Sequence, residues 1–165
     1  MLIVDVDGTL VNTRAIRQRM AIGERLSVAL ETLDPEPITA TVRLSQDAYS
    51  AGKEVVVLTA RTIDDTEPTK QMLNTLGVPY HHLLLQPTPK RLDVIWKREA
   101  AKKLLQHHEP DKVLAVDDSP YIVDMWHQMN VPVIQVPGWD FEYEGPLDPE
   151  LPEEAQCTIH QFLTT

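Results

Sequence analysis

The chain has 165 residues, 42% of them hydrophobic, enough to bury the core of one domain and no reason to expect two. Fifteen Lys and Arg against twenty-five Asp and Glu leave a net charge of −10, which excludes a globally basic polyanion binder and leaves local basic patches as the route to one. Cys157 is the only cysteine, so no internal disulfide can form. No apolar run approaches the roughly eighteen residues of a membrane span, and a strand starting at Leu2 leaves no room for a signal core, so the expected setting is cytoplasmic.

The apolar run Leu2 to Val4 leads into Asp5-Val6-Asp7-Gly8-Thr9. It reads as a buried parallel strand with two carboxylates at its carboxyl end, where open α/β sheets hold ligands. In an extended strand Asp5 and Asp7 would share a face. A break at Gly8 lets one side chain and the other's carbonyl meet at one point, which suits a magnesium ion and a phosphate. An ordinary strand followed by an Asp-Gly turn is the plain alternative.

From Thr13 to Leu33 the spacing of Ile16, Met20, Ile22, Leu26, Leu30 and Leu33 predicts a helix that Asp34-Pro35-Glu36-Pro37 ends. Arg14, Arg17, Arg19 and Arg25 fall within it, either as a basic rim or as its solvated face. A second helix is expected from about Thr39 to Ser50 with Gly52 as its cap. Strands follow at Glu54 to Leu58, His82 to Leu85, Lys112 to Val116 and Val131 to Val136. Helices between them are expected at Thr66 to Leu76, closed by Gly77, at Asp93 to His107, and at Ser119 to Met129, ended by Asn130. Met125 and Trp126 read as core residues of the last of these. A Pro- and acid-rich extension runs from about residue 137 to 165, with a final helix near Leu151 to Phe162 over the sheet edge. Strands alternating with helices predict a three-layer Rossmann-like α/β fold, a parallel sheet with helices on both faces, as a single domain over 1–165 with its core in about 1–136.

Further chemistry-bearing residues stand at predicted strand ends. Val55 to Leu58 ends in Thr59-Ala60-Arg61, a hydroxyl and backbone amides that could hold phosphate oxygens. A β-branched strand terminus is the simpler reading of Thr59, and a surface pair with Asp64 or Asp65 is the simpler reading of Arg61. Val113 to Val116 ends in Asp117-Asp118-Ser119-Pro120. A helix N-cap explains Asp118 or Ser119 but leaves Asp117 without a role, and buried carboxylates there are costly without a cation. Lys97 lies in the preceding helix, where a solvated lysine is the default.

Asp-x-Asp-Gly-Thr, then Thr59, Lys97 and Asp117-Asp118, in that order, resembles the haloacid dehalogenase superfamily of phosphohydrolases. Within it, Val113 to Phe141 and the lysine helix Asp93 to Glu99 resemble the 3′-phosphatase domain of phage-type polynucleotide kinase-phosphatases. Ser119 stands where that domain has an arginine, and Gln86-Pro87 where another is usual. No phosphate loop of a kinase domain is present in the chain.

The resemblance implies a HAD-type phosphatase in which Asp5 attacks phosphorus and Asp7 acts as acid and then base. It implies Mg²⁺ held by the Asp5 carboxylate, the Asp7 carbonyl and Asp117. Thr59, Ala60 and Lys97 would hold the equatorial oxygens, Asp118 would orient Lys97 or a water on the metal, and Arg61 could add a phosphate contact. Only two helices fit between Leu10 and Glu54, so only a minimal cap is expected, and an open site admits bulky phosphoesters. The expected substrate is a phosphomonoester, a nucleotide or a nucleic-acid 3′-phosphate end. A soluble 5′-nucleotidase or other small-molecule phosphatase is the alternative, and a non-catalytic phosphate-binding module a further one. A response-regulator receiver would carry its acid pair on the first strand, which this order does not.

Overall fold

Alternation along the first strand sets the two faces of the sheet. β1 (Leu2–Val4) sends Leu2 and Val4 into one apolar cluster and Ile3 into the other. A computed structural model describes residues 1–14, 36–88, 91–138 and 144–165. Within them the chain continues through α1 (Thr39–Ser50), β2 (Val55–Thr62), α2 (Thr66–Thr75), β3 (His82–Gln86), α3 (Asp93–Leu104), β4 (Leu114–Asp117), α4 (Pro120–Gln128), β5 (Val133–Gln135) and α5 (Ala155–Thr164). The five strands form one parallel sheet in the order β3-β2-β1-β4-β5. Starting at the centre, the chain builds outward through β2 and β3, then returns to the far side of β1 with β4. The strand order therefore reverses between β1 and β4, where open α/β sheets leave a crevice at their carboxyl edge.

Both faces are covered, as the alternating pattern requires. Val55, Val57, Leu114, Val116 and Ile134 pack with α1, α2 and α5, whereas Val56, Leu58, Ala115 and Val133 pack with α3 and α4. α1 occupies the expected residues, and Gly52 and Gly77 sit at φ +73° and +65° behind α1 and α2. Asn130 takes φ +56° just past α4, the left-handed position its place in the sequence suggested. Met125 and Trp126 are core residues, each 1% exposed.

Three expectations are corrected. β2 does not stop near Leu58 but runs to Thr62, with its pairing to β3 slipping between Leu58 and Thr62. The helix expected to His107 ends at Leu104 and tightens into a 3₁₀ turn at Leu105–His107. The last helix, α5, begins at Ala155 rather than near Leu151 and runs to Thr164, laying Ile159, Phe162 and Leu163 against the cluster that α1 shares. The helix expected over Thr13 to Leu33, with Arg17, Arg19 and Arg25, lies outside the described residues, and with it most of the expected minimal cap. Arg14 is described and exposed.

Among the described residues Trp126 is the largest side chain with essentially no exposure, set between α4 and the sheet. Trp126→Ala should cost about 3–5 kcal/mol by the transfer and cavity terms of an emptied core site. Urea denaturation measures it, and a loss under about 1 kcal/mol would mean that α4 is not anchored there.

Candidate active site

β1 and β4 end side by side, and their pairing extends to Asp5, whose N–H donates to the Val116 carbonyl at 3.1 Å. Asp5 and Asp117 thus arrive together at the switch point with 6% and 2% exposure. Lys97, from the first half of α3, is 3% exposed and donates from Nζ to Asp5 Oδ1 at 2.7 Å and to Asp117 Oδ2 at 2.6 Å. The solvated-lysine reading is therefore wrong, because α3 turns Lys97 to the sheet along with Ala100 and Ala101. Burial alone would pull the Lys97 ammonium down, but Asp117 and Asp5 outweigh it and hold the amine protonated, above its ordinary value. Burial drives Asp5 the other way: against the pull of Lys97, and reinforced by Asp117, Asp118 and Asp7, it lifts this carboxyl well above the usual carboxylate range.

Asp7 goes elsewhere. Gly8, at φ +87°, turns the chain, and the amides of Thr9, Leu10 and Val11 fold back onto the Val6 carbonyl. Arg61 grips the Asp7 carboxylate with two bonds, Nε to Oδ2 at 2.8 Å and Nη2 to Oδ1 at 2.7 Å, while Nη1 donates to Thr69 on α2 at 3.2 Å. The guanidinium is 2% exposed. The surface pairing with Asp64 or Asp65 is overturned: Asp65 accepts from Thr62, and Asp64 from Thr88. Burial works against the charge on Arg61, but Asp7 more than offsets it, so its pKa is raised. Asp7 keeps 29% side-chain exposure where Asp5 has 7%, so two carboxylates one residue apart occupy different environments.

The slip between β2 and β3 spans Thr59, Ala60 and Arg61, where regular pairing is interrupted. Thr59 Oγ1 accepts the Arg61 N–H at 3.2 Å, and its carbonyl accepts Trp96 Nε1 at 3.0 Å. The Ala60 carbonyl accepts Gln86 Nε2 at 3.2 Å, so Gln86, fully buried at the end of β3, braces this segment. Thr69, Trp96 and Gln86 were missed by the sequence reading. Each supports the site through an ordinary-looking helix or strand position, and only Gln86, a polar residue closing an apolar run, offered a signal.

Asp118 is 1% exposed, and its carboxylate lies with those of Asp5 and Asp117 so that the three ligand atoms are within 4.8 Å of one another. Ser119 takes the N-cap position of α4 but makes no side-chain cap bond; its N–H donates to Asp117 Oδ1 at 3.0 Å. The cap reading therefore does not account for either acid. Asp5 and Asp117 share one ammonium, which leaves a buried excess of negative charge and hard oxygen donors. That donor set fits a divalent cation such as Mg²⁺. It also brings the Asp118 side chain into the set, whereas the Asp7 side chain is held on Arg61.

Lys97→Met should destabilise the cation-free protein by about 3–5 kcal/mol, because it leaves two buried carboxylates without their shared partner; denaturation in EDTA reads this directly. A carboxyl with a raised folded-state pKa contributes stability that is present at low pH and lost as pH rises through that value. In EDTA the wild type should therefore lose stability as pH climbs from 3.8 through the raised Asp5 value, and Asp5→Asn should flatten the fall. Parallel pH curves for the two proteins would contradict it.

Among curated proteins none matches the sequence. Two solved chains, one in a Pnkp1/Rnl/Hen1 complex and one in a Pnkp1/Rnl/Hen1 RNA repair complex, are each 27% identical over 82% of this chain, with TM-scores of 0.67 and 0.62. The present chain spans 44% and 41% of their lengths. CbbY from Rhodobacter sphaeroides, in complex with xylulose-(1,5)bisphosphate, is 14% identical with a TM-score of 0.62 over 90% of both chains, a likeness of fold. Residues 1–141 match the phosphatase domain of polynucleotide kinase PNKP, and this stretch holds Asp5, Asp7, Arg61, Lys97, Asp117 and Asp118; the chain belongs to that phosphatase-domain family, on the haloacid dehalogenase fold.

Proposed function

We propose that this protein is a Mg²⁺-dependent phosphomonoesterase that works through an aspartyl-phosphate on Asp5, acting on nucleotides or nucleic-acid 3′-phosphate ends. The observation that carries it is the division between the two acids of the first loop: Asp5 buried on Lys97 beside Asp117, and Asp7 held apart by Arg61. An Asp5 oxygen attacks phosphorus, a P–O bond to Asp5 forms, and the ester P–O bond breaks. The Asp7 carboxylate, gripped by Arg61 at both oxygens, takes up a proton from solvent at its exposed side and gives it to the departing alkoxide. It then takes one from the water that hydrolyses the acyl phosphate, returning Asp5 as carboxylate with release of inorganic phosphate. Its partial exposure suits both exchanges. Lys97, Thr59 and the Ala60 amide hold the equatorial oxygens as charge redistributes. Mg²⁺, held by Asp5, Asp117, Asp118 and the Asp7 carbonyl, would supply charge neutralisation between carboxylate and phosphate. Arg61 is a positioning residue in this scheme, since its buried fork fixes the Asp7 carboxylate. The nucleic-acid end is favoured by family membership and by the RNA repair complex in which a 27% identical chain occurs.

Asp5→Asn should abolish phosphate release while leaving the fold intact, and EDTA should stop the wild type until Mg²⁺ is restored. Undiminished turnover by the variant would remove Asp5 as nucleophile. Arg61→Lys, which cannot make the paired bonds, should lower kcat by about 100-fold or more with KM little changed, the scale of a misplaced general acid. Competition between a 3′-phosphorylated oligonucleotide and a nucleoside monophosphate ranks the substrates, and equal turnover of the two would favour a nucleotidase.

A further inference from the structure

Six large apolar or aromatic side chains are exposed among the described residues, and four of them, Ile63, Leu92, Ile95 and Tyr121, follow the carboxyl ends of strands. They therefore stand on the same edge of the sheet as Asp5, Asp7 and Asp117. Ile63 comes directly after β2, and Leu92 and Ile95 belong to the start of α3, whose Trp96 bonds to Thr59. Tyr121 is the second residue of α4, three positions after Asp118, and is 70% exposed. The inward face of α4 is taken by Ile122, Val123, Met125 and Trp126, so Tyr121 projects outward. Helical side chains lean toward the N-terminus of their helix, which carries the ring toward the site rather than down the flank. α3 and α4 run side by side, tied by Arg98 Nη2 to Gln128 Oε1 at 2.6 Å.

A single exposed apolar residue needs no explanation, but four gathered at the edge that holds a phosphate-type site do. The neighbouring site narrows the choice of occupant. The cations of α3 are not at this edge, since Lys102 and Lys103 lie in its last turn, Arg98 bonds to the far end of α4 and Arg91 is paired with Glu99 at 2.8 Å, so the phosphate-type site itself is what an anionic group would meet here. A flat amphipathic ring beside a phosphate-type site is an arrangement that takes a base together with its phosphate, since every base has a face to stack and the ring has few rotamers to lose. A small acyclic phosphate such as glycerol phosphate has no ring face for Tyr121 to stack on.

We propose that Tyr121 stacks on the nucleobase next to the phosphate that Asp5 attacks. The catalytic role of Asp5 in this rests on the function proposed above. On that assignment Tyr121 is a specificity residue: it adds affinity for base-bearing esters and leaves the chemical step alone.

The test compares wild type, Tyr121→Ala and Tyr121→Phe on a 3′-phosphorylated oligonucleotide and on glycerol phosphate, which lacks a base. It adds binding of a fluorescein-labelled 3′-hydroxyl oligonucleotide, which cannot turn over, read by anisotropy. Tyr121→Ala should raise KM for the oligonucleotide by about 5- to 100-fold, the range of base–aromatic stacking, with kcat within about twofold. Glycerol phosphate kinetics should not change, Tyr121→Phe should keep the wild-type KM, and the Kd of the labelled oligonucleotide should weaken in parallel for Tyr121→Ala. An unchanged oligonucleotide KM and Kd, or an equal rise in KM for both esters, would overturn the stacking role while leaving the phosphatase standing. Tyr121-dependent binding without turnover of either ester by wild type would do the reverse. Loss of oligonucleotide affinity in Leu92→Ala but not in Tyr121→Ala would place the base on the other flank and also overturn it.

Discussion

Everything at the carboxyl edge depends on one buried ammonium. Lys97 reaches from α3 to the ends of β1 and β4 and joins them through Asp5 and Asp117, closing the crevice where the strand order reverses. Such a cluster is a poor source of stability, since stripping water from three charged groups costs several kcal/mol each and good geometry does little more than recover it. Four apolar residues before Asp117 and three before Asp5 hold those strands in place regardless, with exposures of 2% or less. The core therefore supports the charges, and not the reverse. A sequence selected for folding alone would place apolar groups there, so the triad's presence points to chemistry.

The same loop also shows how environment, rather than residue type, divides labour. Asp5 and Asp7 differ by one position, yet one faces an ammonium in the sheet's interior and the other a planar fork on β2. Lysine presents a compact charge that two carboxylates can share, while the arginine fork fixes one carboxylate in orientation as well as place. Exchanging the two cations would leave the net charge unaltered and the site without either function. The Gly8 turn makes this separation possible, because it carries the chain away from β1 before Asp7 can continue along the strand.

How much of this was legible in the sequence depended on whether a signal was local. The apolar runs and their spacing placed all five strands, and Asn130, Gly52 and Gly77 marked helix ends because their backbone preferences act at single residues. Order within the sheet left no such mark, yet it is what brings Asp117 beside Asp5. Lys97 sat among Arg91, Arg98, Lys102 and Lys103 with nothing in its own sequence to distinguish it, since burial is a property of the helix's face. Its resemblance to a family lysine identified it where periodicity could not. Arg61 failed in the opposite sense: Asp64 and Asp65 were near in sequence, whereas Asp7 was near in space, and the extension of β2 past Leu58 is what decides between them.

A net charge of −10 looks like an argument against an anionic substrate, and the local arrangement removes it. Charges on exposed groups are screened over about 8 Å at physiological ionic strength, so most of the acidic surface has no hold on the switch point. There Lys97 and Arg61 are already engaged by Asp5, Asp117 and Asp7, with Asp118 beside them. A divalent cation held by these acids would be what offsets their charge, helped by α3 and α4, whose first turns rise from the same edge with their positive ends toward it. Buried cations act through a medium that screens them little. The acid surplus keeps the rest of the molecule from binding polyanions indiscriminately, so that an anion gains only by reaching the one place where a bound divalent cation would reverse the sign.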